Sequence, residues 1–232
     1  MNDQYQTRNF FEEQKIKVGV VIPTRGDRPE FLKNSLRLLS NQTLLPNEII
    51  QIDFEPTSDA CDITFRYRMG YEYFRKKDCD VIALWEDDDW YAPDYLETMV
   101  SEWIKAGKPD LFGTTYTIYY NLRVFGYFPM YHHQRSSAMS TLIKSNLVFD
   151  WCADSEPYTD VWLYQHLNYK LFTPEKHICL GIKHGIGKTG GKSHVDRLDR
   201  YKTNTGKLDV DKSFLKSIVD KESFEFYCNL FS

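Results

Sequence analysis

The sequence predicts an α/β fold built around a doubly wound, mostly parallel sheet. Short apolar runs alternate with helical patterns three times between residues 17 and 107, in the order β-α-β-α-β-α. Each apolar run ends in polar residues, which are Thr24, Asp53 and the four acids at 86–89. Right-handed crossovers bring the carboxyl ends of parallel strands to one edge, where open α/β sheets bind ligands. We therefore expect a binding site at that edge.

The first β-α unit is predicted from residues 17–42. The run KVGVVIPT (17–24) is apolar up to its last residues and predicts a strand buried on both faces. The turn RGDRP follows, with Pro29 suited to the first turn of a helix. In EFLKNSLRLLSNQ, Leu32, Leu36 and Leu39 share one helical face, which predicts a helix that packs on the sheet.

The second and third units follow the same order. LLPNEIIQID predicts a loop and a strand that ends at Asp53. Asp59 is a candidate cap for the next helix, which is indicated by the spacing of Ile63, Tyr67, Gly70, Tyr71 and Phe74. CDVIALW predicts the third strand. PDYLETMVSEWIKAG predicts a helix that ends at Gly107, with an inward face of Leu96, Val100, Trp103 and Ile104.

The chain beyond residue 107 has a less regular pattern. DLFGTTYTIYYN, RVFGYF and HICLGI predict strands, whereas SSAMSTLIKSN is ambiguous. TDVWLYQHLNYK predicts a helix with Thr159 as its N-cap. The tail DKSFLKSIVDKESFEFYCNLF predicts one or two amphipathic helices. No linker, repeat or low-complexity segment interrupts the chain, so we expect a single domain.

Composition and charge argue against several classes of protein. The 232-residue chain has a formal net charge of −4, so it lacks the basic surface of a general nucleic-acid-binding protein. No apolar run approaches the roughly 20 residues that span a bilayer, and the first residues have no signal-peptide pattern. The five cysteines form no CxxC pair, which argues against a thiolate zinc site and for a reduced, cytosolic protein.

The stretch WEDDDW places Glu86, Asp87, Asp88 and Asp89 directly after the third predicted strand. In a cleft, these carboxylates would raise one another's pKa values unless a cation neutralised them. Carboxylate oxygens suit a hard divalent cation such as Mg²⁺ or Mn²⁺, and such a site leaves positions for substrate phosphates. The alternative is a solvated acidic loop, which is disfavoured by the apolar strand before the acids and the aromatic-proline-helix pattern after them.

These segments together resemble a known enzyme family. VGVVIPTRGDRPEFLKNSLRLLSNQ, EIIQID and DVIALWEDDDWYAPDYLE are similar, in this order, to the family 2 nucleotide-sugar glycosyltransferases of GT-A fold, over residues 16–107 and more loosely to 190. The resemblance implies a Rossmann-like three-layer sandwich with a mixed, mostly parallel central sheet. It divides one domain, 1–232, into a nucleotide-sugar-binding half (16–107), an acceptor and catalytic half (108–194) and a C-terminal helical tail (195–232).

The resemblance also implies roles for individual residues. The nucleotide contacts would be Pro23, Thr24, Arg25, Asp53 and Asp87. The ligands of Mn²⁺ or Mg²⁺ on the diphosphate would be Glu86, Asp88 and His184, with Asp88 favoured as the direct ligand. The acceptor-side candidates are Asp89, Arg123 and Tyr127, and the same region contains His132, His133 and Arg135. Two positions depart from the family pattern: Glu86 stands where Asp is usual, and FEP follows Asp53 in place of a small polar turn.

Transfer of a sugar to a hydroxyl needs a general base near the acceptor. The family has an Asp late in the chain, at the start of a helix, and DSEPYTDVWLYQHL supplies Asp160 in that context. The alternative role for Asp160 is to favour the amino terminus of the helix through its dipole.

The glycine-rich segment GIKHGIGKTGGKSH (181–194) is not a P-loop, because Ile182 and Ile186 stand where that motif requires Gly. It fits better as a mobile loop that closes over a diphosphate, with Lys188 and Lys192 supplying positive charge. His194 is a weaker candidate metal ligand than His184, and a structural role is the alternative for both.

The resemblance implies transfer of a sugar from a nucleotide diphospho-sugar, by family frequency a UDP-sugar, to a hydroxyl of a saccharide or glycolipid acceptor. Inversion at the anomeric carbon and a role in surface polysaccharide synthesis are expected by analogy. The expected location is the cytoplasm, at the inner face of the membrane if the acceptor is lipid-linked. The amphipathic tail is then a candidate for contact with the membrane surface, or equally with a second copy in a homodimer.

Two other classes stay open. A nucleotidyltransferase on a related sheet would need a glycine-rich, basic loop after the first strand, whereas TRGDRPE has one Gly. A catalytically silent sugar-nucleotide or carbohydrate-binding protein is disfavoured by the intact acids and by Asp160.

Overall fold

The computed structural model describes residues 16–55, 60–187, 199, 201 and 206–231. In this part of the chain, strands form two sheets with α-helices packed around them. The strands are β1 Val18–Pro23, β2 Glu48–Ile52, β3 Val81–Leu84, β4 Trp90–Tyr91, β5 Leu111–Thr114, β6 Tyr116–Asn121, β7 Gly126–Tyr131, β8 Thr141–Lys144, β9 Tyr169–Phe172, β10 Cys179–Lys183 and β11 Lys207–Leu208. The helices are α1 Pro29–Ser40, α2 Ile63–Arg75, α3 Tyr95–Lys105, α4 Thr159–His166, α5 Ser213–Ile218 and α6 Lys221–Asn229.

The larger sheet has six strands in the order β2-β1-β3-β8-β5-β9. Strand β1 pairs in parallel with both β2 and β3, and β5 pairs in parallel with β9. Strand β8 lies antiparallel between β3 and β5. The predicted mixed, mostly parallel sheet is therefore confirmed, and the carboxyl ends of β1, β2 and β3 lie at one edge.

Alternating residues of the central strands enter two separate cores. Val20 of β1 and Ala83 of β3 lie in the core that also contains Phe31 of α1 and residues of α3. Val21 and Leu84 lie in the opposite core, with residues of α2 and α4. Since successive side chains of a strand point to opposite faces, this division makes the chain a three-layer sandwich, as predicted.

Helix α2 packs unusually closely on β1. A Cβ placed on Gly70 would lie 2.4 Å from Cγ1 of Val21, so only glycine permits this approach. Tyr67, Tyr71 and Phe74 are buried on the same face, as their spacing predicted. Asp59, the predicted cap, lies outside the described residues, and the residue before the helix is Asp62.

The smaller sheet has the order β11-β7-β6-β10-β4. Strand β4 begins directly after Asp89 and pairs with β10, so the acidic stretch joins the two sheets. Strand β10 also pairs in parallel with β6, and β6 pairs with β7. This arrangement brings Lys183 at the end of β10 to the acids that follow β3.

The C-terminal tail forms two helices that pack on the chain's own core. Leu215, Val219 and Tyr227 are buried there. Asp220 accepts a hydrogen bond from Ser223 N and so caps α6, and it also accepts one from Trp90 Nε1 at 3.1 Å. The apolar face that suggested a membrane or dimer contact is thus covered largely by the rest of the chain. Among the described residues, no helix is long and apolar enough to cross a bilayer.

Two local predictions are corrected. The helix predicted over TDVWLYQHLNYK ends at His166, and Tyr169–Phe172 is a strand. The pairing of this strand with Leu111–Thr114 outweighs the local helical preference. Thr159 is the first residue of α4 and not its N-cap, which is Tyr158. The ambiguous segment SSAMSTLIKSN contains a 3₁₀ turn, Ala138–Ser140, followed by β8.

Candidate functional site

A cavity of about 510 Å³ opens at the carboxyl edge of the larger sheet. Its wall includes the end of β1, the amino-terminal part of α2, the acidic stretch after β3 and the start of α4. The lining residues that concern the chemistry are Pro23, Thr24, Arg25, Arg28, Arg66, Tyr67, Glu86, Asp87, Asp88, Asp89, Tyr119, Arg135, Asp160 and Lys183. Of the polar strand ends predicted to share one edge, Thr24 and the acids at 86–89 therefore lie together around this cavity.

The acidic stretch is held in place by both sheets. Trp85 N donates to Val21 O at 3.0 Å, which ties the end of β3 to β1. The Tyr91 hydroxyl accepts a hydrogen bond from Glu86 N at 2.9 Å. Asp89 Oδ1 accepts one from Ile182 N at 2.7 Å, which ties the acids to β10. Asp87, Asp88 and Asp89 are all buried as a result.

Three of these acids fit a divalent cation. Glu86, Asp88 and Asp89 each offer an oxygen, and these oxygens lie within 4.8 Å of one another. Asp89 Oδ2 is buried without a hydrogen-bond partner among the described residues, and so is the hydroxyl of Tyr67 on the same cavity wall. Unpartnered buried polar atoms are costly, so their concentration here indicates a site for a polar or charged ligand.

Arg28 pairs with two of the acids. Its Nη2 lies 2.6 Å from Asp87 Oδ1, and its Nη1 bonds Asp88 Oδ2. Nη1 also lies 3.4 Å from His184 Nε2. The Arg28 side chain is 13% exposed, so this cation is largely buried against the acids. Arg28 was not among the predicted site residues.

His184, a predicted metal ligand, lies beside Asp88. Its Nε2 is 2.9 Å from Asp88 Oδ2, and Ile186 N donates to its Nδ1 at 3.0 Å. Since Nδ1 accepts a hydrogen bond, the proton of the neutral ring sits on Nε2 and is donated to Asp88. In this arrangement His184 orients Asp88, and direct ligation through Nε2 would require the other tautomer.

The electrostatic environment gives the four acids different pKa values. Burial raises the pKa of Glu86 to about 7 and that of Asp87 to about 6, although Lys183 and Arg28 respectively oppose the rise. Burial and the nearby Glu86 hold the pKa of Asp89 well above its usual range. Burial would also raise the pKa of Asp88, but Arg28 and the His184 hydrogen bond outweigh it, so that pKa lies well below the usual range.

Lys183 is the second cation at the cluster. Burial lowers its pKa, but Asp89 and Glu86 outweigh this effect, so its pKa is raised and the ammonium stays charged. Its Nζ lies 5.0 Å from the centroid of the Tyr119 ring. Lys183 was also missed by the sequence analysis, although it directly follows the predicted strand HICLGI and is the last residue of β10.

The end of β1 forms the other side of the predicted nucleotide site. Pro23, Thr24 and Arg25 line the cavity, as does Asp87. Arg66, which is 1% exposed, bonds Thr24 O and donates to Ile52 O and Phe54 O at 2.8 Å each. It therefore ties the ends of β1 and β2 together. Asp53 is exposed at the end of β2 and does not line the cavity.

The candidate base Asp160 lies in the first turn of α4 and lines the cavity. Its carboxylate pairs with Arg135, a residue that the sequence analysis placed on the acceptor side. Burial raises the pKa of Asp160, and Arg135 opposes that rise. This position fits both roles considered for Asp160, which are a general base facing the cavity and an acid that favours the amino terminus of α4. The catalytic role therefore stays a hypothesis.

Of the three acceptor-side candidates, Asp89 lines the cavity and the other two do not. Asp89 belongs with Glu86 and Asp88. Arg123 lies outside the cavity lining, where its Nε donates to His184 O at 2.9 Å. Tyr127 stacks on Phe214 at 3.5 Å and does not line the cavity either. His132 is buried and lies 3.0 Å from Thr117 Oγ1, which indicates a structural role. The predicted Lys188, Lys192 and His194 lie outside the described residues.

Comparisons with known proteins identify the fold. No protein-family model matches the sequence, and no curated protein matches it. TarS 1-349 of S. aureus in complex with UDP matches the structure with a TM-score of 0.50 and 11% sequence identity, over 72% of this chain and 60% of that chain.

Two further solved structures match with lower TM-scores. TarS 1-349 in complex with UDP-GlcNAc has a TM-score of 0.48 and 10% identity, over 72% of this chain and 59% of that one. A glycosyltransferase involved in the glycosylation of the major capsid of PBCV-1 has a TM-score of 0.40 and 11% identity, over 68% and 82%. This chain spans about 60% of the length of TarS 1-349. The likeness to TarS confirms, at the level of the fold, the resemblance found in the sequence: the chain has the α/β fold of the GT-A glycosyltransferases.

Proposed function

We propose that this protein is a glycosyltransferase that moves a sugar from a nucleotide diphospho-sugar to an acceptor hydroxyl. The observation that carries the proposal is that one cavity holds both the acidic cluster after β3 and Asp160 of α4. The donor is proposed to be a UDP-sugar, a choice supported by the family resemblance and by the UDP bound to TarS. The acceptor is proposed to be a saccharide or glycolipid hydroxyl, as in surface polysaccharide synthesis.

The donor side of the proposed site combines backbone and charged groups. Thr24 N donates to Ile52 O at 3.0 Å, so the peptide after Pro23 is fixed where it borders the cavity. We propose that this segment and Arg25 hold the nucleoside, with Asp53 contacting the base or ribose from the end of β2. Lys183 and Arg28 supply positive charge where the diphosphate would lie.

Glu86, Asp88 and Asp89 would hold Mn²⁺ or Mg²⁺ on the diphosphate. The fit is supported by the closeness of their oxygens and by the unpartnered Asp89 Oδ2. When bound, the divalent cation supplies positive charge that stabilises the leaving diphosphate. His184 keeps Asp88 oriented through its hydrogen bond.

Asp160 is proposed as the general base. Its carboxylate takes the proton of the acceptor hydroxyl as that oxygen forms a bond to the anomeric carbon, while the bond from this carbon to the diphosphate oxygen breaks. Arg135 holds the carboxylate in one orientation. A single displacement of this kind inverts the configuration at the anomeric carbon.

A thermal-shift panel tests the donor assignment. UDP, GDP, dTDP and their sugars are each added with and without Mn²⁺. A ligand at about 100 times its Kd is expected to raise Tm by roughly 5 °C. We expect the rise with UDP and UDP-sugars in the presence of Mn²⁺, and a loss of that rise in Asp88→Asn.

The matched control is Asp94→Asn. Asp94 pairs with Lys176 and does not line the cavity, so its neutralisation should leave the UDP response unchanged. The proposal is rejected if no nucleotide raises Tm under either condition. A UDP response that survives in Asp88→Asn would instead remove Asp88 as a metal ligand.

A further inference from the structure

The acidic cluster already contains a cation that belongs to the chain. The guanidinium of Arg28 bonds both Asp87 and Asp88, and the Arg28 side chain is 13% exposed. Arg28 stands at the amino end of α1, at the close of the short loop that follows β1. Arginine presents a rigid fork of donors, which suits two neighbouring carboxylates better than a single ammonium does.

This contact falls on a carboxylate that a metal would use. Asp88 Oδ2 accepts hydrogen bonds from both Arg28 Nη1 and His184 Nε2. Asp88 is also one of the three acids whose oxygens converge within 4.8 Å. A divalent cation among these oxygens would lie close to the guanidinium, and two cations in a buried site repel each other strongly.

Lys183 acts mainly on acids other than Asp87. The acids that raise the pKa of Lys183 are Asp89, Glu86 and Asp88, whereas Asp87 is paired with Arg28. The two cations therefore differ in their main partners, although both act on Asp88. Removal of Arg28 would leave Asp87 and Asp88 without their pairing cation, and this would increase the attraction of the cluster for an added one.

We infer that Arg28 is a resident counterion that a divalent metal displaces from Asp88, and that the displaced guanidinium then binds the donor diphosphate. The inference rests on the proposed function, since it concerns the same site. It makes metal binding and donor binding mutually dependent: the metal binds weakly while Arg28 occupies the acids, and a diphosphate favours the metal by offering Arg28 another anion.

The test measures Mn²⁺ affinity directly, by the electron paramagnetic resonance signal of free Mn²⁺, in the absence of nucleotide. Arg28→Gln is expected to bind Mn²⁺ about tenfold more tightly than the unmodified protein. Arg28→Lys keeps the charge but cannot bridge both carboxylates, so its affinity should lie between the two. Arg68→Gln is the matched control, because Arg68 pairs with Asp154 at an exposed position and its loss should change nothing.

A second arm repeats the titration with UDP present. UDP should increase the Mn²⁺ affinity of the unmodified protein more than that of Arg28→Gln. The inference is overturned if Arg28→Gln binds Mn²⁺ no more tightly than the unmodified protein. If that variant does not fold, Arg28→Lys decides: tighter binding supports the inference, and equal or weaker binding overturns it. Absence of any UDP effect would count against the proposed donor, whereas the nucleotide-free arm would still decide the role of Arg28.

Discussion

Two acid–arginine arrangements on the wall of one cavity differ in their balance of charge. At the carboxyl edge of the larger sheet, the four acids at 86–89 share Arg28 and Lys183. At the start of α4, the single carboxylate of Asp160 pairs with Arg135. The first arrangement has more carboxylates than cations, and the second matches one to one.

Because of this difference, the two arrangements suit different kinds of chemistry. Where carboxylates outnumber cations in a buried place, some must stay protonated or a further cation must bind, and the raised pKa values of Glu86, Asp87 and Asp89 reflect that condition. Where one carboxylate meets one guanidinium, the carboxylate can stay ionised without a metal. The first suits the binding of a metal with its diphosphate, and the second suits a base.

The largest effect is expected from Asp160→Asn. Asparagine keeps the shape and an acceptor oxygen for Arg135, but it cannot take a proton. If Asp160 is the base, sugar transfer should fall by roughly 100-fold or more, while the Mn²⁺-dependent Tm rise with UDP should stay. Transfer is measured by product formation with a UDP-sugar donor.

Asp154→Asn is the control for this experiment. Asp154 is a neighbouring acid that pairs with Arg68 and lies outside the cavity lining. Its neutralisation should leave transfer unchanged. Full activity in Asp160→Asn would remove Asp160 as the base and reduce its role to that of a helix-terminal acid.

A smaller effect, on pH dependence, is expected from Arg135→Gln. Burial raises the pKa of Asp160 and Arg135 opposes the rise, so loss of the guanidinium should raise this pKa further. A base acts when deprotonated, so the rate falls as pH falls through its pKa, and the fall should begin at higher pH in the variant. We expect the ratio of the rates at about pH 8 and about pH 6 to increase roughly tenfold.

Arg135→Lys keeps the positive charge and should retain most of the original pH profile. Glu86 also titrates near neutral pH, but it is present in both variants, so the difference between them reports the charge at position 135. An identical profile for Arg135→Gln and Arg135→Lys would show that this charge does not act on the base.

The sequence was sufficient to predict those parts of the molecule that depend on local pattern. The run around Val20, the helical face of Tyr67 and Phe74, and the acids at 86–89 are all contiguous or periodic, and each lies where it was predicted. The topological rules for parallel strands then supplied the shared edge.

The rest of the site depends on contacts between distant segments. Arg28 meets Asp88 across 60 positions, and Lys183 joins the same cluster from β10. Neither contact has a local pattern, and within RGDRP only Arg25 was predicted to lie in the site. Strand β9 was missed for the same reason, since its pairing with Leu111–Thr114 is a property of the folded sheet.

The smallest effect is expected from Asp53→Ala, which tests whether the proposed donor site extends to the end of β2. Asp53 is exposed and outside the cavity lining, so a hydrogen bond that its carboxylate accepts from a nucleoside would be worth about 1 kcal/mol. Removal of the carboxylate should therefore weaken UDP binding roughly fivefold, as measured by calorimetric titration in the presence of Mn²⁺.

Mn²⁺ affinity without nucleotide should not change in Asp53→Ala, because Asp53 is not among the converging acids. Glu55→Ala, which removes another exposed acid two residues along, should leave UDP binding unaltered and controls for the general loss of negative charge. Equal UDP affinity in Asp53→Ala and the unmodified protein would confine nucleoside recognition to the cavity wall between Pro23 and the start of α2. A weakened affinity would extend the proposed donor site to the end of β2, beyond the acids that are proposed to bind the metal.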